Sequence, residues 1–552
     1  MAKLHDHGWG HARLHRRAHH WRAGRVQGPT DVESHVAHLF GIYDNQYLDR
    51  HFHSGLCLLI IQPVTTLENQ FLDQATQKKY VLVVKKDCPT CALIEPIIAD
   101  LATQFDGGLR VYVQDDPSFP ENYADTLDDS SLEFSYKNKI EIVPTLIRES
   151  DNSTEDSRIY GWDKQQWQEF TGIKNLGADL IDFKPGCGSK TQDPGMDSML
   201  ALKFGSAQLQ AREVDLAEAE DVMEACYERG WSDGLPVVPP TPLRVVRMLA
   251  GSQRQADEII GKVPPDNVSC TIEKLAINAV MAGCKPEYFP TVIASVEAAL
   301  QDRFCMHGLL CTTYFSSPVM IVNGPIVKEI GMNAGVNALG QGNRANATIG
   351  RALQLVIRNV GGGIPGGIDR ATMGNPGKYS YCFAEDESDS DWPSLAMDRG
   401  FQREESIISL FAGEGLQPIL DQQSRTAESL TKSIALSLRS VAHAKIFGLA
   451  DAILIICPEH RRVYRESGWS KSDLRLALHD ELKTPGAEIV RGANGISEGM
   501  PVKFKDKILN KFRDDGLHIV TTGGTAGMFS AIIGGWVASG ERGSQLVSQK
   551  IK

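Results

Sequence analysis

A chain of 552 residues with 42% hydrophobic and 23% charged residues has the composition of a globular protein and the length for two to four domains. Its net charge of −12 argues against a general nucleic-acid binder, which needs a basic face, and no apolar run approaches the roughly 20 residues of a membrane span. Eleven cysteines, mostly inside apolar segments, suggest buried thiols in a reducing compartment, so a cytoplasmic location is expected.

Residues 1–75 begin as a His/Arg-rich extension, with His5, His7, His11, His15, His19 and His20 interleaved among arginines. The composition reads as a loosely attached, partly ordered extension, with a metal- or anion-binding tail as the alternative. Short apolar segments at 36–43 and 56–64 read as an extra helix and strand.

Residues 76–175 read as one α/β unit. Tyr80 to Val84 is an apolar strand, followed by Lys85-Lys86-Asp87-Cys88-Pro89-Thr90-Cys91 and then a helical stripe of Leu93, Ile94, Ile97, Ile98, Leu101 and Phe105. Strand, turn, dithiol and helix follow in the order that a dithiol redox site requires. A helix N-terminus favours a thiolate at Cys88, and the C-x-x-C spacing lets Cys91 close a disulfide with it. The same spacing also fits two structural thiols or half of a zinc site, although no second C-x-x-C or paired-histidine motif lies at finger-like distance. Asp87 should raise the Cys88 pKa, while Lys85, Lys86 and the helix end should lower it. Leu109 to Val113 is a second strand, Val143-Pro144-Thr145-Leu146-Ile147 a third with a proline at its start, and Arg158 to Gly161 a fourth. A last helix runs from Asp163 to about Thr171.

This order over about 100 residues resembles the thioredoxin fold, with Cys88/Cys91 and Pro144 as its two anchors. Pro89-Thr90 between the cysteines is closer to glutaredoxin-like patterns. The resemblance implies a cis Val143–Pro144 bond facing the dithiol, Cys88 as attacking and Cys91 as resolving thiol, and a redox-active disulfide instead of a bound cofactor.

Residues 176–215 read as a Gly/Pro-rich linker carrying a lone cysteine, in Lys184-Pro185-Gly186-Cys187-Gly188-Ser189. Cys187 is either a mobile thiol that passes electrons onward or a surface cysteine without a role.

Residues 216–552 read as a large α/β domain, in one or two subdomains. It opens with a helix over 214–229 and an ordered loop, Gly230-Trp231-Ser232-Asp233-Gly234-Leu235-Pro236. Helices are expected through Leu249, at 272–282 and at 291–300, with a buried strand at 319–322. Gly342, Asn343, Arg344 and Asn346 lie in a glycine- and amide-rich loop that feeds a helix to about Val360, a pattern suited to an anion or carboxylate ligand. The ligand site is placed within 333–378, and Glu385, at a strand end, is a general acid/base candidate. Strands at 452–456 and 517–520 alternate with helices, which predicts a mostly parallel sheet. Cys457, Glu459 and His460 then become nucleophile or acid/base candidates beyond a strand end, and Gly523 and Gly524 part of an anion cradle.

Glu228 to Pro236, Gly342 to Asn346 and Gly523-Gly524 with Phe529-Ser530 resemble a poorly characterised bacterial C-terminal domain family found fused to thioredoxin-like modules. They are more weakly similar to cysteine or selenocysteine reductase-type proteins. The expected function is a thiol–disulfide oxidoreductase whose dithiol serves a small-molecule reaction in the C-terminal domain. Its expected partners are a small-molecule substrate and a thiol reductant or reductase, with no nucleic acid or membrane, and it is expected to form a homo-oligomer. The alternatives are a thiol-dependent lyase or hydrolase centred on Cys457, and a non-enzymatic, redox-responsive assembly protein.

Overall fold

Strand β1, Lys79–Val84, is a β-branched run with five of its six residues buried, as expected of a central strand. The computed structural model that contains it describes residues 79–149, 157–205, 209–217, 220–388, 392–536 and 543–552. The His/Arg-rich extension read at 1–75 lies outside the described residues. Ala75–Lys552 packs as one unit, in which the first lobe and the remainder keep separate hydrophobic cores.

After β1 the chain forms helix α1 (Pro89–Gln104), strands β2 (Leu109–Val113) and β3 (Thr126–Asp128), and the short helix α2 (Glu133–Lys137). Strands β4 (Ile142–Val143), β5 (Thr145–Glu149), β6 (Ser157–Tyr160) and β7 (Trp162–Asp163) come next, then helix α3 (Lys164–Thr171). Five of these strands form a sheet in the order β3-β2-β1-β5-β6, with β1 parallel to β2 and antiparallel to β5. Helix α1 starts with Pro89, whose missing N–H costs nothing in a first turn. It buries Ile94, Ile97, Ile98 and Leu101 against the sheet, so the predicted stripe is the core face. The Val143–Pro144 peptide is cis.

The first part of the segment read as a linker, up to Phe204, forms short strands and a helix. Strands β8 (Phe183–Lys184) and β9 (Cys187–Gly188) pair antiparallel with β7 and β4. The buried amide of Gln114 fixes the residues just after β9: its Nε2 donates to Ser189 Oγ at 2.7 Å, and its Oε1 accepts from Lys190 N at 3.0 Å. Sequence reading missed this because two-residue strands have no periodicity and Pro-Gly-Cys-Gly has the composition of a turn. Helix α4 (Met196–Phe204) then leads into the larger lobe, where Arg247 Nε donates to Ser198 Oγ at 3.0 Å.

The larger lobe opens with a shorter helix than expected, Val222–Glu228, capped by the Asp221 carboxylate. A hairpin, β10 (Ile259–Val263) with β11 (Val268–Thr271), precedes the main sheet. That sheet contains β12 (Ser317–Asn323), β13 (Cys382–Ala384), β14 (Ile407–Leu420) and β15 (Ala450–Ile456). A small pair, β16 (Thr484–Pro485) with β17 (Ile508–Leu509), stands apart, and β18 (Phe512–Thr521), β19 (Phe529–Gly535) and β20 (Val547–Lys550) complete the sheet. Its order is β13-β12-β14-β19-β15-β18, with β20 also on β14.

The expectation of a mostly parallel sheet is corrected here. Only β12/β13 and β15/β18 are parallel, and the other four pairings of the sheet are antiparallel. The reason lies in a connection: residues 522–528 between β18 and β19 leave no room for a crossover helix, so the chain reverses and β19 runs antiparallel against β15. The sheet is covered on both faces. Met320 and Val322 of β12 join one cluster while Val319 and Ile321 join another, and Leu454 and Ile456 of β15 separate likewise from Ile453 and Ile455.

Candidate functional site

Three cysteine sulfurs converge at the N-terminus of α1. Cys88 is its N-cap, and the Cys91 backbone N–H donates to the Cys88 sulfur at 3.3 Å. The Cys88 thiol also lies 3.6 Å from the Val143 carbonyl oxygen. Cys91, one turn further on, is fully buried and accepts from Lys85 N at 3.5 Å. Cys187 faces them from β9, where it pairs with Val143.

The thiols are strongly differentiated. The hydrogen bond from the Cys91 thiol leads the effects that bring the Cys88 pKa down to about 5. Burial opposes it, while the Cys187 thiol and the N–H groups of Cys91 and Thr90 add to the lowering. Cys91 is held well above the ordinary thiol value, by burial first and by its Cys88 neighbour second. Cys187 is also raised, again by burial and then by Cys88. The competition between Asp87 and the lysines is resolved by pairing: Lys85 Nζ stands 3.2 Å and Lys190 Nζ 3.3 Å from the Asp87 carboxylate, and Lys86 is engaged by Asp116. The nearest carboxylate is thus neutralised. Lys190 is a member of this set that sequence distance concealed. Pro144 follows Val143 directly, so its position beside the dithiol is set by the same short strand.

The larger lobe separates the remaining candidates. Asn343 caps helix Arg344–Asn359 through its side-chain oxygen, which accepts from Asn346 N at 3.0 Å. Asn346 is buried and pins the preceding loop, accepting from Asn333 N and donating to the Asn333 and Ala338 carbonyls at 2.8–3.0 Å. Arg344 is exposed and donates to Gly283 O at 2.8 Å. Gly342 and Gly523 adopt φ of +114° and +112°, which favours glycine. The Gly523 N–H is taken by Ala334 O at 3.0 Å, and Gly524 packs on Val336. The two glycine loops therefore meet through residues 334–336, where Ala334 O accepts from both Gly523 N and Thr522 Oγ1.

Cys457 and His460 are brought together, with Ser530 as a third member that sequence reading did not select. Cys457 caps helix Pro458–Glu466, His460 Nδ1 lies 2.7 Å from Ser530 Oγ, and His460 Nε2 lies 2.9 Å from the Asp421 carbonyl oxygen. Burial pushes the Cys457 thiol up, but hydrogen bonding with His460 more than offsets this and leaves it lowered; His460 is raised in return. All three residues are buried. Glu459 turns elsewhere and accepts from Met528 N at 2.5 Å. Glu385 is buried too, accepting from Asn323 Nδ2, Leu395 N and Thr521 N, and burial raises its pKa.

The open space lies elsewhere. A cleft of about 530 Å³ is lined by Asp233, Gln354, Arg358, Asp369, Asn375 and Lys378, among others. Asp233 accepts a two-pronged bond from Arg351 at 2.7 and 2.8 Å, and Lys378 bridges both Asp369 oxygens at 2.7 Å. Only the second half of the stretch read as a ligand site, 333–378, reaches this cleft. Asp233, in the Trp231-Ser232-Asp233-Gly234 loop, is the lining residue that the sequence showed without assigning it a role. A second, more apolar groove of about 860 Å³ runs beside Trp231, Val245, Ile277 and Met281.

Among the described residues, no group of three or more His, Cys, Asp or Glu is placed to hold a metal ion, and no helix is long and apolar enough to cross a membrane. No family model, curated protein or solved structure matches the chain.

Proposed function

We propose that the chain is a thiol–disulfide oxidoreductase with a thioredoxin-like first lobe, in which Cys88 attacks and Cys91 resolves. The observation that carries this reading is the helix-capping Cys88 sulfur with the buried Cys91 thiol on it: one sulfur ready as thiolate near neutral pH and the other held as thiol. The Cys88 thiolate attacks a disulfide, forming a mixed disulfide and releasing one thiolate, and Cys91 then loses its proton and attacks Cys88, closing the intramolecular bond and releasing the second thiolate. Electrons stored in this pair serve a small-molecule reaction in the larger lobe, for which the 530 Å³ cleft beside Asp233 and Lys378 offers a site of suitable size and polarity.

The test is a thiol–disulfide assay in which the full chain is cycled with dithiothreitol and a small disulfide. Turnover that disappears in Cys88→Ser, and in Cys91→Ser a mixed disulfide trapped at Cys88, whether with the small thiol or with another cysteine of the chain, are expected. Equal turnover in Cys88→Ser and the parent chain would refute the reading.

A further inference from the structure

Cys88 is only 1% exposed, whereas Cys187, whose thiol lies against it, is half-buried. The backbone edge beside the dithiol is already occupied. Cys187 pairs with Val143 and Gly188 with Ile142, and Ser189 N donates to Glu141 O at 2.9 Å. Thr90 Oγ1 donates to Pro185 O at 2.6 Å, and Lys184 Nζ donates to Pro89 O at 3.0 Å, so the segment is fastened to the first turn of α1 as well. An external polypeptide adding itself as a strand needs this same edge, with its N–H and C=O groups free.

We propose that residues Phe183–Ser189 are a built-in strand filling the groove where a polypeptide partner would lie, and that Cys187 is the sulfur through which a low-molecular-weight disulfide reaches Cys88. This rests on the dithiol reading above and names its substrate class. The sequence of bonds balances. The Cys187 thiol loses its proton and attacks the disulfide RSSR, forming Cys187–S–SR and releasing RS⁻, which is protonated. The Cys88 thiolate attacks the Cys187 sulfur, forming the Cys88–Cys187 bond and expelling the second RS⁻. Cys91 loses its proton and attacks Cys88, and Cys187 leaves and is protonated again. The net change is one RSSR reduced to two thiols by two electrons from the Cys88–Cys91 pair; one proton comes from Cys91, and the second RS⁻ takes its proton from solvent.

The test uses the fully reduced full-length chain and oxidised glutathione. Peptide mass mapping of Cys91→Ser is expected to find a Cys88–Cys187 disulfide. Formation of the Cys88–Cys91 bond is expected to slow at least tenfold in Cys187→Ser. In the unmodified chain its rate is expected to keep rising with pH through the alkaline range, because the attacks by Cys187 and by Cys91 each need a raised thiol to lose its proton. A rate that is unchanged in Cys187→Ser, or level above about pH 6 in the parent chain, would overturn the role of Cys187 while leaving the dithiol in place. Failure of Cys88 and Cys91 to join in any form would overturn both readings.

Discussion

Cys187 lies directly across from Val143 in antiparallel register, and the Val143 carbonyl is within 3.6 Å of the Cys88 sulfur. One short strand thus determines the distance between the acidic Cys88 thiol and a cysteine 99 positions further on. The register depends on backbone groups, so side-chain and backbone changes around it have separable effects.

The depressed Cys88 thiol should be visible in its alkylation. The rate of iodoacetamide labelling at Cys88, followed by peptide mass spectrometry, should have its midpoint near pH 5. In Cys91→Ala, which removes the leading hydrogen bond, the midpoint should move up toward the ordinary thiol value of about 8.5.

The same shift has a stability consequence. The folded Cys88 pKa lies below its unfolded value, so the thiolate stabilises the reduced fold fully above about pH 8.5, and this contribution is lost as pH falls through about 5. Thermal melts of the reduced chain should therefore decline from pH 8.5 to pH 5 more steeply than those of Cys88→Ser.

Gly186 should not accept a side chain. A Cβ there would meet Ile142 Cγ2 at 2.4 Å and Val143 O at 3.0 Å, the same backbone that Cys187 pairs with. Gly186→Ala should destabilise the segment by about 1–3 kcal/mol. Hydrogen exchange over residues 183–189 should accelerate, and Cys88 should alkylate faster at fixed pH.

In the larger lobe, Arg351→Met should leave Asp233 half-desolvated without its partner beside the 530 Å³ cleft. A loss of roughly 3 kcal/mol is expected from chemical denaturation. Asp233→Asn, which retains a hydrogen-bonding oxygen for Arg351, should lose less.

What could be read from residues alone divides along physical lines. The dithiol, its helix and the position of Pro144 were legible because each is a local signal: a motif, a 3.6-residue stripe, a proline in an apolar run. The helices at Ile272–Ala282 and Arg344–Asn359 were legible for the same reason. Strands β9 and β19 were not. Their partners β4, β14 and β15 lie far away in sequence, and nothing within residues 187–188 or 529–535 specifies which edge they join. At Gly342, Arg344 and Gly523 the residues alone leave two uses open, because glycine and amide loops serve anions and tight turns alike. The partnership of Ser530 with His460 was hidden for a related reason, since it is made by β19 pairing with β15.

The most direct measurement is the redox state of Cys88 and Cys91 in the full-length chain, equilibrated over a series of dithiothreitol redox ratios and read by differential alkylation and mass spectrometry. The account predicts that both cysteines change state together, in a single two-electron transition linking one to the other. Cys88 and Cys91 remaining free thiols at every ratio, or titrating independently of each other, would contradict it.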